Sequence, residues 1–140
     1  MFGKTKPAKA IFPVRKTEAE WRTALAPEAF RVLREHATER PGASPLNAEK
    51  RAGTFACAGC GHELFTANTK FESGTGWPSF FDAIPDGIAT TTDRSFFTSR
   101  TEVHCAQCGG HLGHVFPDGP PPTGARYCMN GAAMRFEPER

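Results

Sequence analysis

Several features are scarce in this chain. It has one tyrosine and two tryptophans. No apolar run approaches the ~20 residues needed to span a membrane as a helix. Neither sign of charge dominates: 17 basic side chains face 15 acidic ones, a net charge of +2. Nothing in that balance demands a nucleic acid or an anionic membrane as partner, and no basic stripe with interleaved aromatics points to nucleic-acid binding. The opening stretch, MFGKTKPAKAIFPVRK, is basic but lacks the apolar core and small-residue cleavage site of a secretory leader. Residues 1–16 are therefore expected to form a flexible, solvated segment of a cytoplasmic protein. Cysteines number five, and four of them stand in two Cys-x-x-Cys pairs. In a chain without a secretory leader, such pairs point to metal binding in a reducing compartment rather than to disulfides.

What is abundant points to turns and short strands. The 140 residues fit one domain and suffice for a real core. Twelve phenylalanines supply bulk, while 14 glycines and 12 prolines argue against long helices. Two short helices are nevertheless expected near the N-terminus. Thr17-Glu18-Ala19-Glu20 has the form of a capping box, with Trp21 and Leu25 on one face beyond it. Pro27 suits the first turn of a second helix, whose apolar stripe is Phe30, Leu33 and Ala37, ending in the segment Thr38 to Pro41. Trp21 and Phe30 are read as core anchors. Pro41 to Gly53 reads as a loop. Beyond it the helical period gives way to short strands at 54–57, 63–65, 88–92, 102–105, 112–116, 126–129 and 133–136. The expected fold is mainly β: antiparallel sheets with two short N-terminal helices packed on them, residues 17–140 forming a single domain.

Cys57-Ala58-Gly59-Cys60-Gly61 and Cys105-Ala106-Gln107-Cys108-Gly109 are nearly the same knuckle twice. A two-residue spacer followed by Gly lets both thiolates face one ion. Four thiolates in a tetrahedron make a closed structural zinc site; iron also accepts four sulfurs, and buried thiols or two disulfides are the plainer alternatives. The repeated spacing favours zinc. The knuckles are far apart in sequence, so the metal is expected to pin two distant hairpins of a larger sheet. A closed site leaves no position for substrate, so chemistry must lie elsewhere.

Cys128 is the cysteine left over. A lone free Cys is often a small buried hydrophobe. Against that reading stand Arg126, two residues earlier on the same strand face, and two imidazoles close in sequence, His111 and His114. Nearby positive charge lowers a thiol pKa, and a cysteine with histidine partners is a nucleophile candidate. Asp118 and Asn130 could orient an imidazole or stabilise developing charge, though singly each is a weak signal. Trp77 is either a core residue or the wall of an apolar pocket.

Together these segments resemble the methionine-R-sulfoxide reductases of the B type. The matching stretches are TERP at 38–41, CAGCGHELF from Cys57, KFESGTGWPSF from Lys70, RTEVHCAQCGGHLGHVFPDGP from Arg100 and RYCMN from Arg126. The resemblance implies an Mss4-like β-tent, one structural Zn²⁺ per chain on Cys57, Cys60, Cys105 and Cys108, and Cys128 as the catalytic cysteine. It also implies an active site lined by His111, His114, Asp118, Arg126 and Asn130, with Trp77 against the substrate methyl. Two departures stand out. The loop from Gly42 to Gly53 lacks the family's Phe-Ser-Gly-x-Tyr pattern, and position 75 is Thr where many relatives carry a second, recycling cysteine.

The resulting expectation is a peptide-methionine (R)-S-oxide reductase. A thiolate attacks the sulfoxide sulfur, the oxygen leaves after protonation, and Cys128 becomes a sulfenic acid. Thioredoxin, glutaredoxin or a small thiol restores it. The protein is expected to be a monomer acting on methionine-R-sulfoxide, free or in oxidised proteins, with no nucleic-acid or membrane partner. The rival readings are a zinc-bound interaction module without catalysis, for which Cys128 would be dispensable, and a thiol peroxidase, which would need no methyl-binding Trp77.

Overall fold

The computed structural model describes residues 12–93 and 99–139. Helix α1 spans Glu18–Ala24 and begins as expected: Thr17 Oγ1 accepts the Glu20 amide at 3.1 Å, and Glu20 Oε1 accepts the Thr17 amide at 2.8 Å. Helix α2 spans Pro27–Glu35 with Pro27 in its first turn. It stops short of the expected Thr38–Pro41 boundary. His36 turns left-handed at φ 59°, and the Ala37 amide returns to the Arg31 carbonyl at 3.0 Å. That closure satisfies an orphan carbonyl of the last turn and bends the chain back over the sheet.

Nine strands follow among the described residues: β1 Gly53–Cys57, β2 Glu63–Thr66, β3 Lys70–Phe71, β4 Ser79–Phe80, β5 Ile88–Asp93, β6 Arg100–Cys105, β7 His111–Phe116, β8 Arg126–Met129 and β9 Met134–Pro138. They form a three-stranded sheet, β2-β1-β9, and a six-stranded sheet, β3-β4-β8-β7-β6-β5, with every pairing antiparallel. The seven strands expected from sequence are all present. β3 and β4 were not anticipated, since two residues show no periodicity. The stretch read as a loop after Pro41 holds one short 3-10 turn, Pro45–Ala48.

The two sheets meet through aromatic side chains. Phe65 of β2 stacks on Phe80 of β4 with ring centres 4.3 Å apart, and Phe55 of β1 meets Phe80 edge-on at 5.0 Å. Val103, Leu112 and Met129 of the large sheet complete this layer, all fully buried. Trp21, Phe30, Val32 and Leu33 cap the core from the helices, as expected of Trp21 and Phe30. Burying a side chain of this size contributes about 1.5–3 kcal/mol. No helix among the described residues is long and apolar enough to cross a membrane.

Of the segment expected to be flexible, residues 1–11 lie outside the described residues. Residues 12–16 run along the second knuckle, where the Val14 amide donates to the Gln107 carbonyl at 2.9 Å.

Glu39 ties the helical layer to the end of β8. Its buried carboxyl oxygens accept the Gly131 and Ala132 amides, each at 2.9 Å, while its own amide donates to Asn130 Oδ1 at 2.9 Å. Its carbonyl accepts Trp77 Nε1–H at 3.0 Å. One residue thereby fixes the segment after β8 and the indole that stands beside β4.

Candidate active site and metal centre

The two knuckles close two hairpins in the same way. Cys57 ends β1, its amide bonded to the His62 carbonyl and its carbonyl to the Gly61 amide; Cys105 ends β6 with the matching pair of bonds to Gly110 and Gly109. Gly61 and Gly109 adopt φ of 81° and 76°, a left-handed geometry that L side chains rarely take, which explains the glycine after each second cysteine. The hairpins belong to different sheets, so the thiolate cluster joins the small sheet to the large one rather than two hairpins of one sheet.

The four sulfurs of Cys57, Cys60, Cys105 and Cys108 lie within 4.8 Å of one another. Two cross-knuckle separations are 3.8 Å (Cys57–Cys108) and 3.5 Å (Cys60–Cys105). A tetrahedral ion with metal–sulfur bonds of ~2.3 Å sets its sulfurs about 3.8 Å apart, so the donors fit. The Gly59 amide points at Cys57 Sγ at 3.3 Å, and Arg34 Nη1 donates to the Cys108 carbonyl at 3.2 Å with Cys108 Sγ at 4.0 Å. Hydrogen bonds among the crowded sulfurs hold Cys60 and Cys108 toward thiolate and Cys57 and Cys105 toward thiol. A dication, which binds all four as thiolates, removes that competition.

Cys128 stands apart from this centre, at the middle of the large sheet. The register places Ser79 of β4 and His114 of β7 directly opposite it, and Glu102 of β6 opposite His114. Directly paired residues share a sheet face, so Ser79, Cys128, His114 and Glu102 form one polar rung across four strands. Phe80, Met129 and Val103, at alternate positions, face the core instead.

His111 and His114 are three residues apart, a spacing that would place them on opposite faces of a regular strand. A bulge resolves this: Val103 pairs with Gly113 but His104 pairs with His111, leaving Leu112 as the extra residue of β7. His111 thereby joins the face of His114 and Glu102. Its ring centre lies 5.6 Å from that of His114. His111 is buried, and its Nδ1 contacts Glu102 Oε2 at 2.7 Å. His36 Nε2 reaches the same oxygen at 3.0 Å, and its ring stacks on His111 at 5.0 Å. Burial raises the Glu102 carboxyl, but hydrogen bonds from His111 and His36 outweigh it and hold the group well below the usual carboxylate range. A carboxylate on Nδ1 fixes the tautomer and orientation of the His111 ring.

The Cys128 thiol is half-buried. Thr75 Oγ1 lies 3.9 Å from its sulfur, and Ser73 Oγ joins Thr75 Oγ1 and Ser79 Oγ at 2.8 Å each. Burial pushes the thiol above its ordinary value; Thr75, the Arg126 charge and Ser79 pull it back only in part. Proximity of Arg126 alone had suggested a net lowering, but desolvation exceeds it here.

The remaining sequence-derived candidates divide into two groups. Arg126 shares the face of Cys128, stacks on Phe116 at 4.5 Å, and forms a forked pair with exposed Asp118 at 2.8 and 3.2 Å. Trp77 is half-exposed rather than core, held by its bond to Glu39. Asn130 is buried with both ends of its amide engaged, Oδ1 by the Glu39 amide and Nδ2 by the Leu112 carbonyl at 3.0 Å. It buttresses the site from behind. Glu102, Ser79, Ser73, Glu39 and His36 were missed in the sequence. Glu39, Ser73, Ser79 and Glu102 lie within the matching stretches without standing out there, and His36 lies outside them; their roles come from contacts made on folding.

A mainly antiparallel β domain with a four-sulfur cluster compatible with a metal, and a separate cysteine among imidazoles, hydroxyls and a guanidinium, defines a thiol protein in which the cluster and the lone cysteine are distinct. The SelR domain family matches residues 25–138. Proteins named peptide methionine sulfoxide reductase MsrB from Agrobacterium fabrum, Methanosarcina barkeri and Pseudomonas putida are 52%, 53% and 55% identical to the chain over 126, 127 and 126 residues. The alignments cover 89%, 90% and 89% of this chain and 93%, 89% and 95% of those proteins. The chain belongs to this MsrB family. Among solved structures, the Mis18 "Yippee-like" domain superimposes with a TM-score of 0.51 over 64% of this chain and 99% of that one at 17% identity, a likeness of fold alone.

Two outcomes are expected. Replacing Cys57, Cys60, Cys105 or Cys108 by Ser should release bound metal and lower the thermal midpoint, since metal-binding energy is folding energy; full stability in metal-free protein would contradict this. Alkylation of Cys128 by iodoacetamide, followed by peptide mapping, should rise with pH to a midpoint above that of an ordinary thiol. Arg126→Gln should move the midpoint higher still, because losing a positive charge disfavours the thiolate. A midpoint below the ordinary value, or a downward move in the variant, would show that desolvation does not govern this thiol.

Proposed function

We propose that the protein reduces methionine-R-sulfoxide, free or within oxidised proteins, to methionine by a one-cysteine cycle with Cys128 as nucleophile. The observation that carries this reading is the placement of Cys128 in the polar rung with a hydroxyl, Thr75, at the nearby position of the Ser-Gly-x-Gly-Trp-Pro segment. Family membership supports the reaction class.

The chemistry balances as follows. The Cys128 sulfur attacks the sulfoxide sulfur, the thiol proton is taken up at the site, and the sulfoxide oxygen gains a proton. The oxygen passes to Cys128 as sulfenic acid, and the thioether departs as methionine. Since the resting thiol is held protonated by burial, attack and protonation of the oxygen are coupled. His111 and His114 are the proton donors within this face. Glu102 orients the His111 ring through Nδ1, and Arg126 offers charge to the developing anion. Trp77, tethered through Glu39, provides an apolar wall for the S-methyl group.

The sulfenic acid then condenses with an external thiol, releasing water and forming a mixed disulfide. A second thiol frees Cys128. Thioredoxin, glutaredoxin or a small thiol fits this role. Cys57, Cys60, Cys105 and Cys108 would hold one Zn²⁺, which as a four-thiolate structural site would supply folding energy rather than chemistry. The protein is read as a cytoplasmic monomer.

The test is turnover of the two separated methionine sulfoxide epimers with thioredoxin, its reductase and NADPH, and in parallel with glutaredoxin and glutathione. The R epimer should be consumed and the S epimer spared. Cys128→Ser should abolish turnover, and His111→Ala or His114→Ala should cost about 10²–10⁴-fold for whichever group supplies the proton. Activity surviving in Cys128→Ser would refute the reading.

A further inference from the structure

We propose that His36, Glu102 and His111 form a second, exchangeable site for a divalent first-row transition-metal ion, and that its occupation withdraws His111 from the reaction. The inhibitory part rests on the function proposed above; the site itself does not.

Three elements bring the donors together: the left-handed cap of α2, strand β6, and the bulged start of β7. His36 Nε2 and His111 Nδ1 converge on one oxygen, Glu102 Oε2, at 3.0 and 2.7 Å, and the three donor atoms lie within 4.8 Å of one another. Donors bound at ~2.0–2.1 Å to a tetrahedral ion sit about 3.3–3.4 Å apart, so small side-chain shifts complete the geometry. Two imidazoles and one carboxylate suit zinc, copper, nickel or iron rather than magnesium or calcium.

The exposures define an entry route. The His36 side chain is 60% exposed, whereas that of His111 is 3% exposed. An ion can therefore arrive from solvent at His36 and be held against the buried pair. Three protein donors leave coordination positions open, unlike the closed thiolate centre, so the ion exchanges. Beyond the donors, His104 Nε2 lies 3.7 Å from Glu102 Oε1 and 3.0 Å from Thr91 Oγ1, so the second carboxylate oxygen is also flanked. A metal on Nδ1 would replace the 2.7 Å Glu102 contact that orients the His111 ring, and would tie that ring to the ion.

The experiment uses untagged, zinc-loaded full-length protein titrated with Ni²⁺, an imidazole-preferring probe. Calorimetry should find one further equivalent. In NMR spectra the imidazole signals of His36 and His111 should broaden ahead of that of His62. Turnover of R-sulfoxide, measured as a single turnover without added thiol that would chelate the ion, should fall with occupancy and return on chelation, with the thiolate-site zinc retained. His36→Asn keeps a residue that tolerates the left-handed cap. It should bind Ni²⁺ at least ~10-fold more weakly, and its own single turnover, measured before and after Ni²⁺, should be less sensitive to the ion than that of the unaltered protein.

No further equivalent, unchanged binding in His36→Asn, or first broadening at His62 would overturn the site, and the wild-type spectra decide even if the variant does not fold. Binding with undiminished turnover would overturn the inhibitory part. Absence of sulfoxide reduction before any Ni²⁺ is added would count against the proposed function, not against this site.

Discussion

The structure depends on the meeting of two hairpin tips at one cluster of four sulfurs. The first knuckle ends β1 in the small sheet and the second ends β6 in the large one, so the same contact that joins the sheets also anchors the β6–β7 hairpin. That hairpin carries Glu102, His111 and His114. The bulge at Leu112 sits four residues beyond Cys108 and turns both histidines to one face. The four-sulfur cluster thus anchors the hairpin that carries the polar rung without being part of that rung. The phenylalanine layer and the Glu39 bonds hold the opposite side, where β4, β8 and the Trp77 segment meet.

Cys128 illustrates competition between two electrostatic effects. Half-burial penalises its thiolate, and Thr75, Arg126 and Ser79 compensate only partly. A thiol kept protonated is protected from indiscriminate oxidation, since thiolate character governs that susceptibility. In the proposed cycle the substrate's oxygen must accept a proton as the sulfur is attacked, which a sulfoxide can do. Glu102, held ionised, places a largely buried negative charge against His111 Nδ1.

Chemistry with short sequence spacing was legible before the fold. The paired knuckles announced a thiolate cluster, the fifth cysteine stood out by subtraction, and the capping box at Thr17 and the Pro27 start of α2 were correctly read because their partners lie within four residues. The rung was not legible. It depends on the register of four strands, and the bulge that brings His111 round is invisible in the alternation of His-Leu-Gly-His. Glu39 and His36 escaped notice because their roles come from contacts far along the sequence: His36 with Glu102, and Glu39 with Asn130, Gly131 and Ala132, 91, 92 and 93 residues away. Asn130 was recognised from its motif, yet its amide is spent on the backbone, a distinction that only packing reveals. For Cys128 the neighbouring charge could be read, whereas the burial that overrides it could not.

The central claim is that one sulfur carries the whole reduction half-cycle. The direct measurement is intact and peptide mass spectrometry of zinc-loaded protein after a single exposure to R-sulfoxide without reductant, with methionine release and zinc counted in the same sample. The account predicts one methionine per chain, one added oxygen or its trapped adduct on Cys128, and zinc retained. Thr75→Cys, whose new thiol would lie close to Cys128, should instead show a disulfide between the two. A native disulfide from Cys128 to Cys57, Cys60, Cys105 or Cys108, accompanied by loss of zinc, would contradict the one-cysteine cycle.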